Sequence, residues 1–107
     1  MTAYIAPGLM DPEEVIASHF DTTIAEMHSR TRKRNAVDAR NVAMWHMVTH
    51  QSYTLKMTGY VFDRDHSTVV YARKHVNDLM EVNKAFRKKV HDIVTHIEKI
   101  TAKSNIE

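Results

Sequence analysis

The sequence predicts an all-α fold: a compact helical domain with a long C-terminal helix. Three observations carry that expectation. Two glycines and two prolines in 107 residues leave little turn chemistry for β-hairpins. Apolar residues recur at three- and four-residue steps along most of the chain. Each apolar stripe follows polar residues able to accept from the free amides of a first helical turn.

Residues 1–10 read as an N-terminal arm, with Tyr4, Ile5 and a Pro7-Gly8 turn. Asp11-Pro12-Glu13-Glu14 then starts a helix: a cap, a proline in the first turn, and acids facing the positive end of the dipole. Its buried stripe is Val15, Ile16, His19 and Phe20. Asp21-Thr22-Thr23 caps a short second helix holding Ile24 and Met27. Arg30–Arg34 follows as a basic loop. A long helix is expected over Asn35–His50, with Ala36, Val37, Ala43, Met44, Met47 and Val48 on one broad stripe. Trp45 reads as a packing residue, and Arg40 as lying on the other side. Thr54–Phe62 is the next helix, with Leu55, Thr58 and Phe62 inward and Gly59 at a close helix crossing.

The most informative stretch is Arg64–Ala72, R-D-H-S-T-V-V-Y-A. Asp63 or Asp65 can cap it. Val69, Ala72, Val76 and Leu79 form one apolar face, and His66, Ser67, Arg73, Lys74 and Asn77 fall on the other. Short donors and acceptors on an exposed first turn, followed by basic residues, suit the reading of base edges in a major groove. The tail from Val82 is either a further long helix or a continuation of this one. Phe86, Val90, Ile93, Ile97 and Ile100 make a coiled-coil-like seam, which can pack back on the domain or meet a partner. The expected organisation is therefore an arm at 1–10, a body at 11–81 and a helical extension at 82–107.

Charge is informative by position. Residues 1–29 carry five acids and no Lys or Arg, a charge of −5; residues 30–107 carry fifteen bases and eight acids, +7. A basic body suits a polyanion, although a solvated helical surface gives the same balance. The cluster Arg30, Arg32, Lys33, Arg34 tips the reading to nucleic acid. Arg30–Arg34 is then a loop that neutralises phosphate and sends one arginine into the minor groove; the plain alternative is a helix-capping charge run.

Other chemistries find little support. The chain has no cysteine, hence no disulfide framework or thiolate metal site. No apolar run approaches the ~20 residues of a membrane span, and the N-terminus does not read as a signal peptide. His46 and His50 have the i, i+4 spacing of metal ligands, but no H-E-x-x-H pattern supports them, and His91 and His96 are poorly placed to help. Asp65-His66-Ser67 has the composition of a hydrolase triad, yet successive helical residues diverge by about 100°. With only Gly8 and Gly59, the chain holds no G-x-x-x-x-G-K-[ST] phosphate loop. No enzyme and no cofactor are expected.

Arg64–Ala72 resembles the Arg-Asp-His-(Thr or Ser)-Thr-Val signature of the DNA-binding domain of the bacterial replication initiator DnaA family. S-R-T-R-K-R at Ser29–Arg34 and A-R-N-V-A-M at Ala39–Met44 resemble that family's basic loop and following helix. T-L-K-M-T-G-Y-V-F at Thr54–Phe62 resembles the first helix of its helix-turn-helix. These stretches are collinear, and the resemblance covers roughly Asp11 to Leu79. The resemblance implies a TrpR-like helix-turn-helix that binds double-stranded DNA at initiator-box-like sites, in replication initiation control or transcription regulation. It implies base readout by Arg32 in the minor groove and by Asp65, His66 and Ser67 in the major groove, with Thr68 beside them. It implies phosphate contacts from Arg30, Lys33, Arg34, Arg40, Asn41, Lys56, Arg64, Arg73 and Lys74. The chain departs from the pattern in three places. A single Asp63 stands where many relatives have two glycines, Lys56 where many have proline, and Ser67 where threonine is common.

The initiators themselves carry an ATPase module, which this sequence lacks. The sequence is then either a stand-alone protein built on that domain or an excised fragment; the expectation is a small protein of phage or mobile-element origin, acting in the bacterial cytoplasm on the nucleoid. The competing expectation is an interaction module that forms a homodimer, or binds a replication or transcription protein, through the apolar seam of its last helix.

Overall fold

The computed structural model describes residues 11–104, with side chains to Thr101. The expected arm, 1–10, lies outside the described residues. Six helices follow in order: α1 (Pro12–His19), α2 (Ile24–His28), α3 (Arg34–His50), α4 (Leu55–Phe62), α5 (His66–Val82) and α6 (Lys84–Ser104). Among the described residues there is no strand. The fold is all-α, as the sequence predicts.

Each start has a local cause. Asp11 accepts from the Glu14 amide at 2.9 Å while the Glu14 carboxylate accepts from the Asp11 amide at 3.2 Å, a reciprocal capping box. Thr23 caps α2 through the Glu26 amide, and Thr54 caps α4 through the Met57 amide. Asp65 caps α5 through the Ser67 amide. Asn83 separates α5 from α6. Its amide closes α5 on the Leu79 carbonyl at 2.8 Å, and its side chain accepts from the Phe86 amide at 2.9 Å to open α6. The tail is therefore a separate helix rather than a continuation.

Helix α3 is the hub, packed against α1, α2, α4 and α5. Its Ala39, Val42, Ala43 and Met44 are essentially inaccessible. Val69, Ala72 and Val76 of α5 and Phe62 of α4 close over it, all fully buried. Trp45 is buried, and its indole N–H donates to the Asn77 side chain at 2.9 Å, tying α3 to α5. His28 stacks on Phe62 at 4.3 Å between ring centres, and its Nε2 sits 2.6 Å from a Glu13 carboxylate oxygen. That contact joins α1, α2 and α4.

Helix α6 takes the first of the two courses open to its seam. Val90, Ile93 and Ile97 are buried in the same core as α1, α3 and α5, with Phe86, Val94 and Ile100 partly buried against it. The seam faces α1 and α5 of its own domain, because burying three β-branched residues against those helices removes far more apolar surface from water than leaving them exposed. Among the described residues, Val90, Ile93 and Ile97 of the seam are spent on this core. His46 and His50 stack on each other at 5.1 Å and His46 is bonded to Gln51; among the described residues no group of three ligands could hold a metal. No helix among the described residues is long and apolar enough to cross a membrane.

Candidate nucleic-acid interface

Helix α4 ends at Phe62, and Asp63 turns the chain in the left-handed region at φ 54° and ψ 49°. Aspartate tolerates that conformation better than most residues because its short side chain bonds locally. Asp63 thus supplies the left-handed residue of this turn without a glycine. Arg64 then returns its amide to the Gly59 carbonyl at 2.8 Å. A Cβ on Gly59 would lie 2.5 Å from the Arg64 carbonyl oxygen. Gly59 is required by this close approach to the turn backbone, not by a helix crossing.

The first turn of α5 projects into solvent. Asp65, His66 and Ser67 are exposed and Thr68 is half-buried. One Asp65 oxygen accepts both the Ser67 amide at 3.2 Å and the Ser67 hydroxyl at 2.5 Å. The Ser67 hydroxyl and then its amide hold the Asp65 carboxyl below the usual carboxylate range. The other oxygen lies 3.9 Å from His66 Nδ1, beyond hydrogen-bond distance. Ser67 therefore bonds to Asp65 rather than to His66, and no triad exists. The arrangement is a fixed anionic acceptor beside an exposed imidazole, the chemistry of base-edge readout. Lys56, Tyr60, Arg64, Asp65 and His66 line a hollow between α4 and this turn. Tyr60, 88% exposed, was not anticipated, although it sits one turn from Lys56 on the same face of α4.

The basic loop is built from its own hydroxyls. The Thr31 amide donates to Ser29 Oγ at 3.2 Å, and the Lys33 amide to Thr31 Oγ1 at 3.3 Å. Arg32 is exposed, and among the described residues it has no hydrogen bond or ion pair. Lys33 pairs with Glu26 at 3.0 Å, and Arg34 with Asp38 at 3.5 Å. Arg30 reaches across to the Asp63 carbonyl and carboxylate, both at 3.2 Å. These pairs are solvent-exposed and weak, so the cations can exchange them for phosphate.

Arg40 contradicts its expected position. It is 8% exposed and inside the domain. Its Nε donates to the Met27 carbonyl at 2.7 Å, and its Nη2 to the Ser29 and Thr31 carbonyls at 3.0 and 3.3 Å. Burial first, then the Arg64 and Arg30 charges, lower its pKa. Its Nε and Nη2 are committed to the end of α2 and the loop rather than turned out from the far side of α3. Arg64 is half-buried and gives Nη1 to the Phe62 carbonyl at 2.7 Å and Nη2 to the Ser29 carbonyl at 2.9 Å. Burial and the neighbouring Arg30 likewise lower its pKa. Farther along α5, Lys74 pairs with Asp78 at 2.8 Å, which raises its pKa; Arg73 is half-buried. Lys56 is exposed on α4 and Asn41 half-buried on α3. The structure thus joins the basic loop and the start of α5 at one place, through Arg30, Arg64 and Asp63. It leaves Arg73 and Lys74 further along α5 and takes Arg40 out of the surface.

A family model described as the bacterial dnaA protein helix-turn-helix matches residues 13–76. The chain belongs to the DnaA helix-turn-helix family. It is similar to the chromosomal replication initiator protein DnaA of Bacteroides fragilis, 38% identical over 86 residues that cover 79% of this chain and 18% of that protein. The Flavobacterium psychrophilum DnaA is 37% identical over 82 residues, 76% of this chain and 17% of that protein. The Bacteroides thetaiotaomicron DnaA is 33% identical over 87 residues, 80% of this chain and 18% of the relative. The chain therefore spans under a fifth of the length of these DnaA relatives. The family match covers α5 through Val76, together with the basic loop, α3 and α4.

Proposed function

We propose that this domain binds double-stranded DNA sequence-specifically, with the first turn of α5 in the major groove and Arg32 in the adjacent minor groove. The observation that supports it most is the exposed, polar first turn of α5, held by the Asp63 turn next to the basic loop. In this reading Asp65, His66, Ser67 and Thr68 meet base edges. Arg30, Lys33, Arg34, Asn41, Lys56, Arg73 and Lys74 meet phosphates and set the register. The relatives named as chromosomal replication initiators favour initiator-box-like sites and a role in replication initiation control, with transcription regulation at such sites as a second use. Such a protein works on the nucleoid. These residues hold no phosphate loop, and the duplex binding proposed is that of this domain alone.

The test is a binding series over salt with a box-containing duplex. Several phosphate contacts release counterions, so log K should fall linearly with log salt, by about 0.9 for each contact. An affinity indifferent to salt would overturn the reading.

A further inference from the structure

Two arginines from different elements share one acceptor. The Ser29 carbonyl ends α2 and opens the basic loop, and it accepts from Arg40 of α3 at 3.0 Å and from Arg64 of the helix turn at 2.9 Å. Arg40 also takes the Met27 and Thr31 carbonyls, alternate residues of the same strap. Arg64 also takes the Phe62 carbonyl at the end of α4. We propose that Arg40 and Arg64 are positioning residues, which lock the basic loop in register with α5 so that Arg32 and the α5 first turn engage one duplex together. This rests on the DNA-binding reading above and adds to it a division of labour within the arginines.

The physical case is one of geometry. A guanidinium offers five N–H groups in a rigid fork, and an ammonium does not. The fork reaches the Met27 carbonyl from Nε and the Ser29 and Thr31 carbonyls from Nη2, whereas an ammonium would have to meet all three from a single nitrogen. The loop has no helical or sheet bonding of its own; beyond its short hydroxyl bonds, its other ties are the surface pairs Arg30 to Asp63 and Lys33 to Glu26. Without the two buried-side donors the loop would be ordered only on binding, and that ordering opposes affinity. Arg32 is carried on this loop, three residues beyond the shared carbonyl.

The test is a double-mutant cycle on the full 107-residue chain, read by fluorescence anisotropy with a box-containing duplex. The proteins are wild type, Arg32→Ala, Arg64→Lys, Arg40→Lys and the two doubles, each checked by circular dichroism. Lysine keeps the charge, so a residue acting only as a phosphate counter-charge is rescued by it. In wild type, Arg32→Ala should weaken binding about 10-fold. In the Arg64→Lys or Arg40→Lys background, themselves weakened, the same change should cost under about 2-fold, because unlatched Arg32 no longer reaches its groove. If Arg40→Lys does not fold, the Arg64→Lys cycle decides. Independent, multiplying effects would overturn the latch while leaving DNA binding intact. Full affinity in both lysine variants would overturn it too. A wild type that binds no duplex, or an Arg32→Ala variant that binds normally, would overturn the DNA reading or its minor-groove arm, and the latch with it.

Discussion

Gly59 and Arg64 meet main chain to main chain: the Arg64 amide donates to the Gly59 carbonyl at 2.8 Å, and a Cβ on Gly59 would stand 2.5 Å from the Arg64 carbonyl oxygen. The turn between α4 and α5 is set by this contact. Alanine is the better helix former by up to about 1 kcal/mol, so Gly59→Ala on an open helix would stabilise. Here the turn backbone must move, and the account predicts a loss of about 2 kcal/mol, the scale of an overpacked core site. Urea unfolding followed by circular dichroism measures it; a stabilised variant would show that the turn yields freely.

Asp63 tests the same turn from its other side. The residue sits at φ 54°, where a Cβ-branched side chain costs roughly 1–2 kcal/mol. Asp63→Val should lose about that much stability, and Asp63→Gly should stay within about 0.5 kcal/mol of wild type. Comparable losses in both variants would assign the role of Asp63 to its exposed pair with Arg30 instead.

Helix α6 is part of the core rather than an accessory. Ile93 is fully buried. Ile93→Ala should cost about 2–5 kcal/mol, the range for removing a buried aliphatic side chain. A variant of unchanged stability in thermal melts would mean that α6 does not pack on α1 and α5 in solution.

Acid should destabilise the domain before its carboxylates titrate. His46 is buried, and that burial is the first cause lowering its pKa below the ordinary value of 6.5; Gln51 opposes the shift, His50 adds to it and Glu98 opposes it. His19 is lowered by burial first and then by His96, 3.5 Å away across α1 and α6; Asp92 opposes that shift and Lys89 adds to it. Above about pH 6.5 both states carry neutral imidazoles and stability is flat. Below it the unfolded chain binds protons that the folded chain refuses, so stability falls until the folded pKa is passed. Chemical denaturation at pH 7.5, 6.5 and 5.5 should show the loss beginning near 6.5, and His46→Gln should reduce it. Stability that rises on acidification over this window would contradict the burial of these rings.

The sequence made the helices legible because their signals are local. Asp11, Thr23, Thr54 and Asp65 announce helix starts, and the Val69, Ala72, Val76 spacing announces a buried face. The Arg64–Ala72 stretch also pointed to the exposed turn of α5. What remained hidden depends on main-chain partners far apart in sequence. Arg40 reads as a surface cation, because nothing in its neighbourhood says that the Met27, Ser29 and Thr31 carbonyls converge on it. Asn83 marks the α5–α6 break, a signal present in its strong preference for helix N-caps but masked because apolar residues keep helical spacing across it, at Leu79, Val82 and Phe86. His28 on Phe62 spans three helices and has no local signature.

The most direct measurement is an anisotropy titration of wild type and His66→Ala against a duplex carrying an initiator box and a scrambled duplex. His66 is exposed, next to the Asp65 carboxylate, and does not support the core. The account predicts that wild type prefers the box and that His66→Ala loses about 1–3 kcal/mol on the box and little on the scrambled sequence. Equal binding of both duplexes by wild type, or an unaltered preference in His66→Ala, would contradict base readout by the first turn of α5.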